Sequence, residues 1–184
     1  IKNPSSSNNP ETMIGKSDQA LLDHFTRKTG TPFPTKILTE RQHEYFHQAQ
    51  ENLQSFPGLT EVLTNLGQRG IPRAVASSGH PDKIRFSLDR VGLWSHFEIV
   101  CSAVEVAEGK PAPDLFLLAA RRLGVEPDTC TVVEDSIFGI EAALRAGMQA
   151  IVFTLSHSAA VLHEAGAHRA FCTYDEFLTL LHKR

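Results

Sequence analysis

From Pro57-Gly58 onward the chain follows a rhythm that few folds can satisfy: short strand-like runs alternate with longer helical ones. The runs 73–77 (RAVAS), 98–101 (EIVC), 131–134 (TVVE), 149–153 (QAIVF) and 169–171 (RAF) have strand length and strand composition. Helical patterns fill 59–69, 81–91, 114–123, 136–146, 158–165 and 174–182, several closed by Gly92, Gly124, Gly147 and Gly166. Repeated strand–helix–strand units imply a parallel sheet covered by helices on both faces, a three-layer Rossmann-like α/β architecture. Ligands of such sheets bind beyond the carboxyl ends of the strands. Residues just after each strand are therefore the candidates for a site.

Ahead of Pro57 the pattern differs. Residues 1–14 are rich in Ser, Asn and Pro and suit a loop or frayed segment. Residues 15–56 carry two helical patterns. One opens at the cap Ser17, presents Leu21, Leu22 and Phe25, and ends near Gly30. The other opens at Thr39, with Gln42 completing a capping box and Tyr45, Ala49 and Leu53 on one face. At 184 residues this is one domain with a small insert.

Composition removes several classes of function. A net charge of −3 argues against a nucleic-acid or membrane-surface binder. Cys101, Cys130 and Cys172 are odd in number and far apart, as expected of reduced thiols in a cytoplasmic protein. No apolar run reaches membrane-spanning length and no signal peptide is visible. The chain begins at Ile1 instead of a methionine, which points to a missing start.

Three strand ends carry polar residues. Strand 73–77 ends at Ser77, followed by Ser78-Gly79-His80 and then Pro81 at the expected first position of a helix. A hydroxyl and exposed amides there can hold an anion, or can form only a turn. The segment GKPAPD, residues 109–114, presents Lys110 on a loop stiffened by Pro111 and Pro113, with Asp114 as the expected helix cap. Such a lysine can neutralise a phosphate or stand solvated. Strand 131–134 runs into Glu134-Asp135, two like charges whose repulsion at ~5 Å is about 3 kcal/mol. Solvent, a basic side chain or a metal ion must offset it, or Ser136 or Asp135 simply caps the next helix.

In order and spacing, Ser77, the lysine of GKPAPD and the acidic pair of VVEDS resemble motifs two, three and four of the haloacid dehalogenase (HAD) superfamily, its β-phosphoglucomutase-like, sugar-phosphate phosphatase branch. The segment 15–56, opening with MIGKS, resembles that branch's small α-helical cap, and FPGLTEVLTNLGQRGIP its return to an α/β core over 57–184. The resemblance implies Mg²⁺-dependent phosphoryl transfer on a small phosphorylated metabolite, through an aspartyl-phosphate in the complete protein. Ser77 would hydrogen-bond the phosphoryl group, Lys110 would balance its charge, and Asp135, with Glu134 directly or through water, would hold Mg²⁺. Ser78, Gly79, His80 and, in the cap, Lys16 would contact substrate, and the protein would act as a monomer. The resemblance also calls for a D-x-D-G motif on a first strand, and this sequence contains no D-x-D. The chain is then either a fragment lacking that strand and its nucleophile, or a degenerate relative that only binds. A phosphomutase is the alternative chemistry.

One motif points elsewhere. Residues 43–47, HEYFH, match H-E-x-x-H, a zinc-hydrolase pattern with Glu44 as base. No third ligand follows it in a recognisable setting. Elemental analysis separates the readings: stoichiometric zinc would mark the zinc hydrolase, weak magnesium at Asp135 the phosphoryl-transfer protein.

Overall fold

The computed structural model describes residues 18–32, 34 and 36–182. Two helices, α1 (Asp18–Thr29) and α2 (Lys36–Asn52), precede α3 (Leu59–Gln68). There follow β1 (Ala74–Ser77), α4 (Pro81–Arg90), β2 (Ile99–Ser102), α5 (Asp114–Leu123), β3 (Thr131–Glu134), α6 (Ile137–Arg145), β4 (Gln149–Phe153), α7 (Ala159–Glu164), β5 (Arg169–Phe171) and α8 (Tyr174–His182). Every expected strand forms, with boundaries shifted by one residue in β1 and β2. Single 3₁₀ turns at Trp94–His96, Ala103–Glu105 and Pro127–Thr129 were not legible as separate elements.

Two helix starts differ from the sequence expectation. Helix α2 begins at Lys36, so Thr39 lies inside it and forms no capping box. The Pro34 carbonyl already accepts from the Ile37 amide at 3.1 Å, and Lys36 pairs with Glu40 at 3.0 Å, which starts the helix a turn early. Likewise Asp114 is the first residue of α5 and not its cap. Pro113 holds the cap position, and the Asp114 carboxylate accepts instead from the Glu108 amide at 3.3 Å, closing the preceding loop.

All strand pairs are parallel. The strands form two pieces, of order β1-β2 and β3-β4-β5, as expected of a core that lacks a strand between those ending at Ser77 and Glu134. Among the described residues no strand joins β1 to β3. Consistent with an open edge, Val133 of β3 is 43% exposed, whereas Ala150 and Val152 of the neighbouring β4 are fully buried.

Helix α5 holds the two pieces in one body. One of its stripes, Leu115, Leu118 and Ala119, packs with Cys101 of β2 and with Ala74, Ala76 and Ile99. The other, Phe116 and Ala120, joins Val132, Ile140, Ala150, Val152 and Leu162. An arrangement that relies on one helix should be sensitive at that helix. Leu115→Ala, at a fully buried position, should cost about 2–5 kcal/mol in chemical denaturation. Val161→Ala, at an exposed one, should stay within about 0.5 kcal/mol.

Candidate active site

Strand and helix ends deliver the candidate residues to one place. Ser77 is the last residue of β1 and Glu134 the last of β3, both at carboxyl ends, with the gap between the two sheet pieces separating them. A crevice of about 430 Å³ is lined there by Ser77, Ser78, Gly79, Lys110, Glu134 and Asp135. Tyr45 of α2, Lys83 and Ser87 of α4, and Ser136 complete its polar wall. The structure thus brings together six of the eight residues singled out from sequence. His80 is not among the lining residues. It caps α4, its Nδ1 accepting from the Asp82 amide at 3.4 Å, and stands exposed beside the Asp82 carboxylate. Lys16 lies outside the described residues.

The acidic pair resolves into two different roles. Glu134 turns inward to Lys110, and both side chains are nearly buried, at 8% and 7% exposure. Its other oxygen accepts from the Ser136 hydroxyl at 2.8 Å and from the amides of Asp135 and Ser136 at 3.0 and 3.1 Å. Ser136 in turn caps α6 by accepting from the Gly139 amide at 3.1 Å. Gly139 is required on steric grounds, because a Cβ there would overlap the Glu134 carboxylate. Asp135 points the other way. One of its oxygens accepts from the Ser156 hydroxyl at 2.9 Å, in the loop after β4. The repulsion between the two carboxylates is therefore offset first by a lysine, before any metal is needed.

Lys110 is held from three sides. Glu134 binds its ammonium, the Phe116 ring lies 4.8 Å from it, and Arg145 of α6 donates to the Pro111 carbonyl at 3.1 Å, bracing the loop. The Ser77 hydroxyl accepts from the Gly79 amide at 3.1 Å, so the turn foreseen as the plain alternative does form, and forms inside the crevice. Ser102, at the end of β2, donates to the Gly79 carbonyl at 2.6 Å and shares a capping box with Glu105, which tightens that turn from below. The S-x-x-E signature of this box was present in the sequence. The contributions of Ser156, Tyr45 and Lys83 had no local signature.

The HEYFH residues lie on α2 with His43 and His47 exposed, and the Glu44 carboxylate accepts from Gln48 one turn on. No group of three metal-ligating side chains occurs among the described residues.

The structure is a parallel α/β core that gathers a hydroxyl, a lysine and carboxylates at its strand ends, where such sheets bind small molecules. The chain belongs to the haloacid dehalogenase-like hydrolase family, whose family model matches residues 2–153. Its relatives put it on the sugar-phosphate phosphatase and β-phosphoglucomutase-like branch. It is 31% identical over 160 residues to YhcW of Bacillus subtilis, covering 87% of this chain and 73% of that one. The fructose-1-phosphate phosphatase YqaB of Escherichia coli is 36% identical over 118 residues, 64% of this chain, and the match spans 62% of its length. Among solved structures, a HAD family hydrolase from Deinococcus radiodurans with bound phosphate and sodium superimposes with a TM-score of 0.74 at 26% identity, covering 94% of this chain and 78% of that one.

Burial pushes the Glu134 carboxyl up, but the charge of Lys110 and the hydrogen bonds from Lys110, Ser136 and the Asp135 amide outweigh it, leaving its pKa lowered. A carboxyl whose pKa is lower in the folded state stabilises the fold above its unfolded value and loses that contribution as pH falls through the folded one. Acid titration below about pH 4 should therefore weaken the fold progressively. Glu134→Gln should make the slope of stability against pH shallower in that range, as read by denaturant titrations at each pH.

Proposed function

We propose that this chain is the greater part of a phosphatase acting on a small phosphorylated metabolite, with the phosphoryl group seated between Ser77 and Lys110. The observation that carries the reading is the crevice itself, where a preorganised ammonium and the Ser77 hydroxyl converge at the carboxyl ends of parallel strands. In this reading Lys110 stabilises charge developing on the phosphoryl oxygens, and Ser77 donates a hydrogen bond to one of them. Burial of the Lys110–Glu134 pair fixes the ammonium before substrate arrives, so little reorganisation accompanies reaction.

The donors present fit Mg²⁺ in part. Mg²⁺ characteristically takes one or two carboxylates and completes its shell with water and substrate phosphate oxygens. Asp135 offers one carboxylate oxygen not taken by Ser156, while both oxygens of Glu134 are engaged by Lys110 and Ser136. Asp135 is thus the proposed direct ligand, and Glu134 acts through Lys110 and the loop. When bound, the cation would neutralise phosphoryl charge.

The nucleophile that such chemistry requires has no D-x-D in this sequence. The open position between β1 and β3 supports a strand there in the complete protein, carrying that motif into the crevice beside Ser77 and Asp135. Helices α1 and α2 would form the cap. Tyr45 of α2 hydrogen-bonds Ser87 of α4 at 2.6 Å, and Phe46 meets Phe86 edge-on at 5.0 Å, so the cap helix rests against the site's own wall.

In the protein carrying that strand, Lys110→Ala and Asp135→Asn should each lower phosphate-ester turnover by at least about 10²-fold, and Ser77→Ala by less. Removing Lys110 also leaves Glu134 buried without its counter-charge, a cost of roughly 3–5 kcal/mol. The double variant Lys110→Met/Glu134→Gln separates the two effects. It should fold and still lack activity. Near-normal turnover in a folded variant without Lys110 would overturn the assignment.

A further inference from the structure

The crevice holds two lysines, and only one has a counter-ion. Lys110 pairs with Glu134. Lys83, in the first turn of α4, lines the same crevice half-buried, and its ammonium has no carboxylate or hydrogen-bond acceptor among the described residues. The carboxylates nearest in sequence are taken: Asp82 faces His80 at 3.4 Å, and Asp89 pairs with Arg85. In the crevice, Asp135 accepts from Ser156.

The position of Lys83 is nevertheless well defined. Its stem runs over Gly79, where a Cβ would meet the lysine Cδ at 3.8 Å and the Ser77 hydroxyl oxygen at 3.4 Å. Its ammonium sits 4.0 Å from the centroid of the Tyr45 ring. That ring is itself fixed. Ser87 donates to the Lys83 carbonyl at 2.5 Å, which leaves the serine oxygen to accept from the Tyr45 hydroxyl at 2.6 Å. A ring face attracts an ammonium but covers one side of it only. A half-buried cation held in this way is best completed by an anion on its open side.

We propose that Lys83, seated on Tyr45, is a specificity-determining residue that forms a second anion subsite beside the Ser77–Lys110 site. The substrate class is then a phosphomonoester that carries a further anionic group, a carboxylate or a second phosphate, at its other end. A substrate with a neutral tail leaves Lys83 uncompensated. The subsite joins the two parts of the chain, since the ring comes from α2 and the lysine from α4. It rests on the phosphoryl-binding reading given above.

The test is isothermal titration of the protein and of Lys83→Met with three two-carbon probes: ethyl phosphate, phosphoglycolate and ethylene glycol bisphosphate. Methionine keeps the stem over Gly79 and removes the charge. The protein should bind at least one of the two tail-charged probes roughly tenfold or more tighter than ethyl phosphate. Lys83→Met should shrink that ratio at least about fivefold, and Lys83→Arg should restore it. The probe with the larger ratio tells a carboxylate from a phosphate. Ethyl phosphate binding with no preference for charged tails overturns the subsite alone. So does a Lys83→Met variant that weakens all three probes alike, which would assign the lysine to the transferred phosphoryl group. Absence of binding by every probe overturns the subsite together with the phosphoryl-binding reading. Lys83→Gln, read the same way, serves if the methionine variant fails to fold.

Discussion

The Lys110–Glu134 pair is the constraint on which the site depends. Two opposite charges with under a tenth of each side chain exposed are costly to desolvate, and the pair is tolerable only because its remaining valences are met. Ser136 and two backbone amides satisfy Glu134, while Phe116 and the Arg145-braced loop confine Lys110. The same carboxylate organises the start of α6 through Ser136 and forces glycine at position 139. One ion pair therefore ties the loop before α5 to the turn after β3, and it sets Lys110 at the carboxyl edge of the sheet.

That edge is unusual because the sheet beneath it is divided. Among the described residues, strands β1 and β3 each pair on one side only, with β2 and β4 respectively. What spans the division is apolar: two stripes of α5 and the Ala76 contact shared by both clusters. Hydrophobic packing is non-directional and can bridge such a gap, whereas a backbone ladder cannot. The polar groups meanwhile converge above the division, so the crevice and the facing edges of β1 and β3 lie next to one another. Tyr174 reports the same proximity from the far side, its phenol pKa raised by burial and by the charge of Asp135.

Much of this was written in local pattern. Five strands and the core helices follow from apolar periodicity and glycine stops, because those signals are short-range. Ser77, Lys110 and Asp135 were found by their positions after strands, and the structure gathers them. The acidic pair was harder to read. Sequence alone offered solvent, a cation or a basic side chain as the answer to Glu134-Asp135, and the family resemblance favoured the cation. The first partner proved to be a lysine 24 residues away. The starts of α2 and α5 differ for a related reason, since Thr39 and Asp114 have good capping chemistry but α2 already begins at Lys36 and Pro113 takes the cap position of α5.

The sequence by itself determined the α/β class, the parallel connectivity and the three polar strand ends, because periodicity, chirality of crossover and turn chemistry act over a few residues. Only the tertiary structure decided which carboxylate faces a lysine and which faces the crevice. It alone brought Ser156 to Asp135, placed Tyr45 of α2 over Lys83 of α4, and, among the described residues, left β1 and β3 without a ladder between them. The two side-chain contacts join residues 21 and 38 positions apart, and no local pattern encodes a distance across the fold.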